Sequence, residues 1–543
     1  MNTSLYEQLF EDNTVIRGTK DDDPLIVDAM NTNHFLTYTE LRCKVRALAL
    51  ALRRPPFSFQ EGDVVAFCSA DDIECAIAIC GIACAGLAAC LIPSKSHADD
   101  IRNIFHSSTP KAVVAHPDTL DTVKNVWNKE NGNSIPILLL GTEHSVKDTQ
   151  LLAQYTRGDK HGELPRVHPD TPAFIVCTSG STGNPKPVII THRVAMARIQ
   201  HENPTHRHIV NADHASPRLL STTHCAFISG IMLLWITARL GYPQYILGEW
   251  NASNLDLVMS KVQELGITWI LKLESQMITQ IAYQPELIKK YTLSTLQVVD
   301  SGGQLVPQDA LLRAADILNA SIRCVYASTE TSSVLGLSDK CTFYRKEGMF
   351  AQNDPSARIK LVDNNNKEVP IGDEGELVVK SPMNAAGYYN RPELTPKSFD
   401  NEGYYHTGDI CTVDDNGNYT MLGRKADIIE TKPAPFFPKL LEDICLSFGG
   451  IKECAIVGAF STKYDQELPY AYIVPSEGVA FGQEKVEQLI EYVAKQVPIQ
   501  EMRLSGGVKI MSDLPIGKTG KIERVALKKV AQNELEEDGD GDI

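Results

Sequence analysis

Residues 177–188 read CTSGSTGNPKPV. Gly180 and Gly183 leave backbone N–H groups free to converge on an anion. Thr178, Ser179, Ser181 and Thr182 add hydroxyl donors, and Lys186 adds a positive charge. That combination suits the grip of a phosphate group. The spacing is GxxGxxK, whereas a Walker A loop is GxxxxGK followed by Ser or Thr. A second run, GKT at residues 517–519, has Ser512 where a Walker A loop needs glycine, and it opens no helix. Read by itself, 177–188 is equally a polar turn. Pro187 removes one N–H and fixes φ, so the loop is expected to be stiffer and short of one donor.

Such a loop needs elements to aim it. Residues 171–177 (TPAFIVC) read as a buried strand feeding the loop, and a helix follows with Thr191 as its N-cap. Residues 296–300 are a second strand, ending in Ser301-Gly302-Gly303 before a helix that starts near Pro307. Residues 323–326 are a third, ending in Ala327-Ser328-Thr329-Glu330. Ligands gather at such carboxyl ends in open α/β sheets. Upstream, Leu41, Val45, Leu48 and Leu52 predict a helix over 39–53 with Thr39 as N-cap. Strands are expected at 63–67, 113–115 and 135–140. Alternating strands and helices imply parallel sheet and an α/β layered fold. The apolar run 75–92 (CAIAICGIACAGLAACLI) is about long enough to span a bilayer. It is built from small residues behind Asp71, Asp72 and Glu74, so it reads as a buried helix running into a strand before Pro93. From about 358, short strands with Gly- and Asn-rich turns predict antiparallel β structure, and an α+β segment occupies about 425–531.

The bulk properties narrow the field. A chain of 543 residues is too long for one ordinary core. A 43% hydrophobic and 22% charged content is that of a soluble globular protein, and a net charge of −16 argues against nucleic acid as partner. Thirteen cysteines include no CxxC pair, which predicts reduced, mostly buried thiols and no zinc centre. Residues 1–12 carry no signal-like pattern and the final residues GDI are no SKL-type address, so a cytoplasmic location is expected. The acidic stretch 534–543 is expected to be a solvated, disordered tail.

Further motifs stand in order along the chain: YASTE at 326–330, GYYNRPELTPKSF at 387–399, YHTGD at 405–409, GRKAD at 423–427 and LPIGKTGKIER at 514–524. With TSGSTGNPK, this series resembles the adenylate-forming superfamily of acyl-CoA synthetases, peptide-synthetase adenylation domains and luciferases. The resemblance covers nearly the whole chain. It implies an N-terminal AMP-binding domain over 1–424, made of stacked α/β subdomains and a small β-barrel. A smaller, mobile α+β domain over 425–533 would follow, and the tail 534–543 after it. It implies that a small-molecule carboxylic acid attacks the α-phosphate of Mg–ATP to give acyl-AMP and pyrophosphate, and that CoA then takes the acyl group. A separate carrier protein bearing phosphopantetheine is the alternative acceptor, and a non-catalytic nucleotide-binding protein is the rival from another class.

The resemblance assigns roles. Residues 178–183 and Lys186 would hold the β- and γ-phosphates, Glu330 would bind Mg²⁺, and Thr329 would contact the α-phosphate or the acyl carboxylate. Gly302, Gly303 and Tyr326 would take adenine, and Asp409 and Arg424 the ribose. Lys521 would bridge the attacking carboxylate and the α-phosphate, two anions that otherwise repel. On residue type alone, Glu330 reads as a helix cap, Tyr326 as core, Asp409 with Arg424 as an ion pair and Lys521 as a solvated charge. The acyl pocket is expected along His224–Leu233 (HCAFISGIML), with Phe227 or His224 as gate and Leu335 on the facing side. Ile228 stands where amino-acid-activating members carry aspartate, which implies an acid without an α-amino group; Gly302 and Gly303, with Ser332, Ser333 and Leu335, are expected to leave room for an aryl or medium acyl group. Three departures from the family pattern, Pro187, Ala426 and Pro433, leave adenylation better supported than thioester formation.

Overall fold

The computed structural model describes every residue except 1–3, 13–19, 132–134, 142, 143, 145, 159, 160, 179–185, 211–216, 248–253, 304, 305, 307, 337–348, 353, 433, 477, 518–520 and 538–543. The chain falls into two compact units. The first comprises residues 1–178, 184–358 and 379–405, and the second 179–183, 359–378 and 406–543. The second unit thus takes in 359–378 and 406–424, which the reading from motifs had grouped with the first 358 residues.

The first unit contains two sheets. A seven-stranded sheet runs in the order Gln150–Leu151, Ile137–Leu139, Ala112–Ala115, Val64–Ser69, Ala88–Pro93, Pro172–Thr178, Lys186–Thr191. Its strands are parallel except for the last, which folds back antiparallel to Pro172–Thr178 with Thr178 opposite Lys186. The second sheet includes the order Ser332–Gly336, Ser321–Ser328, Val298–Gly302, Trp269–Leu271, Leu219–Ser221, Gln244–Ile246, Pro24–Asp28. It is parallel from Ser321–Ser328 through to Pro24–Asp28. The helix Cys75–Cys84 has all ten residues buried and shares one apolar core with residues of both sheets. It continues into the strand Ala88–Pro93, as its small residues predict. No described helix is long and apolar enough to cross a membrane.

In the second unit, the strand Tyr405–Val413, from His406 on, and Asn418–Arg424 form an antiparallel pair. A separate three-stranded sheet joins Ile451–Ser461, Gln466–Pro475 and Gly507–Ile510, packed by the helices Lys439–Ser447, Gln483–Gln496 and Arg524–Glu537. The α+β segment expected after 425 is therefore present.

Three local expectations need correction. The helix Tyr38–Arg53 is capped by Thr37, not Thr39: Thr37 is extended, its hydroxyl accepts from the Glu40 N–H, and Glu40 accepts from the Thr37 N–H. The helix Arg524–Glu537 runs into the stretch expected as a tail. Leu535 packs in the core, and Glu534 accepts from the Tyr470 hydroxyl and pairs with Lys509; residues 538–543 lie outside the described residues. Pro187 is not in the loop. It sits in the strand Lys186–Thr191, the last of its sheet, opposite Cys177. Its carbonyl accepts from the Tyr389 N–H. Thr191 does cap its helix, taking the Val194 N–H on its hydroxyl.

Candidate functional site

The strands on either side of residues 179–185 pair antiparallel. Thr178 ends one strand, Lys186 begins the next, and the Thr178 hydroxyl lies 3.4 Å from the Lys186 carbonyl oxygen. Ser179, Gly180, Ser181, Thr182 and Gly183 lie outside the described residues, as does Pro433. Lys186 is half-buried, and its ammonium stands 5.9 Å from the centre of the Tyr388 ring. That is within reach of a cation–π contact.

Glu330 approaches the same ring from the other sheet. It follows the strand Ser321–Ser328, is 7% exposed, and its Oε1 accepts a 3.0 Å hydrogen bond from the Tyr388 hydroxyl. Its Oε2 accepts no hydrogen bond from any described residue. Burial first, and then the Glu330 charge, push the Tyr388 phenol up to about 12, so it stays a donor at neutral pH. The Tyr405 hydroxyl hydrogen-bonds Tyr388, and burial raises its pKa strongly.

The backbone on either side is fixed by a buried arginine. Arg198, 0% exposed on the helix His192–Val210, donates to the carbonyls of Met383 (2.8 and 2.9 Å), Thr329 (3.0 Å) and Glu330 (3.4 Å). The Ala385 N–H also donates to the Glu330 carbonyl at 2.6 Å. Neither Arg198 nor Tyr388 carried a role in the sequence reading. Arg198 had left a signal: it falls on the same helical stripe as Val194, Ala195 and Ile199, all buried.

Gly302 and Gly303 end the strand Val298–Gly302 beside Ser321–Ser328. A Cβ at Gly302 would stand 2.9 Å from the Val325 carbonyl oxygen, too close to be accommodated, and Gly303 has φ of +96°. Tyr326 is half-buried and pairs with the fully buried Leu335 on the adjacent strand. Asp300, just before this strand end, is clamped bidentately by Arg323 (2.6 and 2.7 Å) and accepts from Trp269 Nε1 at 2.8 Å.

The expected acyl segment wraps the start of the helix Ile228–Leu240. Phe227 is its N-cap residue, and Ile228 packs on the core. His224 and Phe227 meet edge to face, 6.0 Å apart. His224 Nδ1 accepts from the Ala226 N–H, and Nε2 faces the Ser69 carbonyl at 3.0 Å, which makes it a neutral ring carrying its proton on Nε2. Asp71 Oδ1 lies 3.8 Å from that nitrogen and accepts from the Cys225 N–H at 2.9 Å. Residues 224–233 contain no aspartate; the fold brings Asp71 to His224 from a distant part of the chain. Asp71, His224 and Cys225 lie close enough for a metal ion. Both ring nitrogens are already engaged, and burial drives the Cys225 thiol well above its ordinary pKa, so this donor set does not suit one.

In the second unit, Asp409 is 6% exposed and pairs with Arg424 Nε at 2.7 Å across the strand register. Arg424 Nη1 also donates to the Thr407 carbonyl at 3.1 Å. Lys521 is exposed; the Gly517 N–H donates to its carbonyl, and Ile516 bridges Ile522. Just beyond, Arg524 grips both oxygens of Glu442 (2.7 and 3.1 Å) and lies 3.6 Å from Asp427, next to Ala426. Buried surroundings raise the Asp427 carboxyl above its usual range.

Comparison with known proteins adds an independent line. The sequence model of the family described as AMP-binding enzyme matches residues 13–389. An acyl-CoA ligase of Aspergillus niger, azaF, is 27% identical over 519 residues, covering 92% of this chain and 93% of that protein. The phenylacetyl-CoA ligase epaB of Aspergillus niger is 26% identical over 534 residues, covering 95% and 94%. The crystal structure of ATP-bound MatB from Rhodopseudomonas palustris superposes with a TM-score of 0.82 at 21% identity, covering 98% of this chain and all of that one (100%). At that identity the likeness concerns the fold.

Proposed function

The chain belongs to the AMP-binding enzyme family, and from that premise we propose that it activates a carboxylic acid with ATP and passes the acyl group to CoA. The carboxylate oxygen attacks the α-phosphorus, the bond to the β-phosphate oxygen breaks, and pyrophosphate leaves. The CoA sulfur then attacks the acyl carbon and AMP leaves. The relatives named as acyl-CoA and phenylacetyl-CoA ligases support CoA as acceptor.

The observation that carries this reading is the meeting of Lys186 and Glu330 at Tyr388, the ammonium 5.9 Å from the ring centre and the carboxylate 3.0 Å from the hydroxyl. A fixed cation and a buried carboxylate side by side are what a triphosphate with its divalent cation needs. Lys186 and Thr178 bind the outer phosphates, and residues 179–183 complete the loop. Glu330 fits as the protein ligand of magnesium, because Oε2 is a hard oxygen with no other partner among the described residues. When bound, magnesium neutralises charge on the β- and γ-phosphates. Thr329 orients the reacting oxygens. Gly302 and Gly303 let adenine lie against bare backbone, with Tyr326 beside it. Asp409 accepts from the ribose hydroxyls and Arg424 donates to them. Lys521 offsets the repulsion between carboxylate and α-phosphate, and residues 425–533 form the moving domain that delivers it.

The acid is a non-amino one, held along His224, Phe227, Ile228 and Leu335. The test is ATP-dependent pyrophosphate release across aryl, short-chain and long-chain acids, with AMP release measured with and without CoA. Release with at least one acid, and AMP release accelerated by CoA, are expected. Silence with every acid overturns the reading, and AMP release indifferent to CoA overturns the acceptor.

A further inference from the structure

We infer that Tyr388 is a positioning residue that sets the direction of the Glu330 carboxylate against the Lys186 strand. The inference rests on the reading of Glu330 and Lys186 as triphosphate-binding groups.

The backbone around Tyr388 is stitched to two separate elements. On one side it extends the strand that begins with Lys186. Ile189 N–H donates to the Gly387 carbonyl at 2.9 Å, Ala386 N–H to the Ile189 carbonyl at 3.0 Å, and Tyr389 N–H to the Pro187 carbonyl at 2.8 Å. Val188 and Tyr388 form an antiparallel bridge. On the other side, Ala385 N–H holds the Glu330 carbonyl, and Arg198 links the Met383 carbonyl to those of Thr329 and Glu330. The Tyr388 N–H is itself held by the Thr395 hydroxyl at 3.1 Å. Segment 383–389 is therefore a strap between the lysine strand and the carboxylate.

The Tyr388 side chain completes the strap. It is 4% exposed and packs on Phe399, which packs on Tyr405. Its hydroxyl takes Glu330 Oε1, so the carboxylate cannot rotate freely, and Oε2 is the oxygen left to meet a cation. Its ring carries the Lys186 ammonium. One residue thereby fixes the separation of the positive and negative groups that a magnesium-bound triphosphate must span.

Tyr388→Phe keeps the ring and removes only the hydroxyl. The readout is linkage: ATP affinity measured by calorimetry with and without Mg²⁺, each variant compared with itself. In the wild-type chain Mg²⁺ strengthens ATP binding. In Tyr388→Phe that enhancement shrinks about tenfold, the effect of losing one charge-assisted hydrogen bond, while ATP affinity without Mg²⁺ holds. In the Glu330→Gln background, Tyr388→Phe adds no further loss. Because each ratio is taken within one protein, a lower melting temperature does not move it. An unchanged Mg²⁺ enhancement in Tyr388→Phe overturns the inference and leaves the proposed function standing. A wild-type chain that binds no ATP overturns both.

Discussion

Replacing Arg198 by methionine should loosen the floor of the proposed nucleotide site. Methionine fills most of the volume of the arginine stem and has no donors. The Met383 and Thr329 carbonyls lose the donor that Arg198 gives them, whereas the Glu330 carbonyl keeps the Ala385 N–H. Leaving a buried acceptor unsatisfied costs about 1–3 kcal/mol, so two of them put the loss at roughly 2–6 kcal/mol. The guanidinium, 0% exposed, itself costs free energy to bury, which places the expected net loss near the lower half of that range, about 3 kcal/mol. Urea unfolding of the unit containing residue 198 measures it. The same variant should raise KM for ATP more than it lowers kcat, because Thr329 loses its anchor and Glu330 loses one of two. Arg198→Lys should recover less than half of the stability, since a compact ammonium cannot span three carbonyls as a planar fork does. A methionine variant within 1 kcal/mol of wild type, by the scale of typical surface substitutions, with unchanged KM, would refute the reasoning.

Burial holds the His192 imidazole down to about 4. A folded-state value below the unfolded one means the unfolded chain binds the proton more tightly, so stability is complete above pH ~6.5 and is lost as pH falls toward 4. Between pH 8 and 5 the wild type should lose about 2 kcal/mol more than His192→Gln; parallel pH–stability curves would contradict this. Gly302→Ala places a Cβ 2.9 Å from the Val325 carbonyl oxygen. It should cost about 1–3 kcal/mol and raise KM for ATP, and a variant with wild-type ATP affinity would show that this strand end does not meet the nucleotide.

The order of the motifs was enough to read the fold class, because strand ends with glycine, serine and acidic residues are local patterns. Lys186, Glu330, Asp409 and Arg424 are picked out by the motifs that resemble the adenylate-forming superfamily, not by residue type or spacing. What joins them is not picked out, since it depends on residues far apart in the chain meeting in space. Tyr388 lay in a stretch recognised as a motif, but its hydroxyl acquires meaning only once Glu330 is placed against it. Asp71 reaches His224 in the same hidden way. Pro187 looked like a loop residue because the sequence does not show where the loop ends; the strand Lys186–Thr191 begins before it. Thr37 and Thr39 compete for one cap, and the reciprocal Glu40 bond at three residues' distance decides for Thr37. At 534–537 the acidic composition suggested a tail, and one buried leucine with the Glu534 contacts to Tyr470 and Lys509 extends the helix instead.

The central claim is that this chain makes an acyl-adenylate. The direct measurement is a quenched single turnover with Mg²⁺, ATP and an acid that supports pyrophosphate release, without thiol, followed by mass spectrometry. Acyl-AMP and pyrophosphate should appear in equal amounts, and CoA added later should convert the adenylate to thioester and AMP. Lys521→Ala should fail in the first step and still form thioester from acyl-AMP supplied ready made. Pyrophosphate released at the wild-type rate by Lys521→Ala, or no adenylate from the unaltered chain with any aryl, short-chain or long-chain acid, would contradict the account.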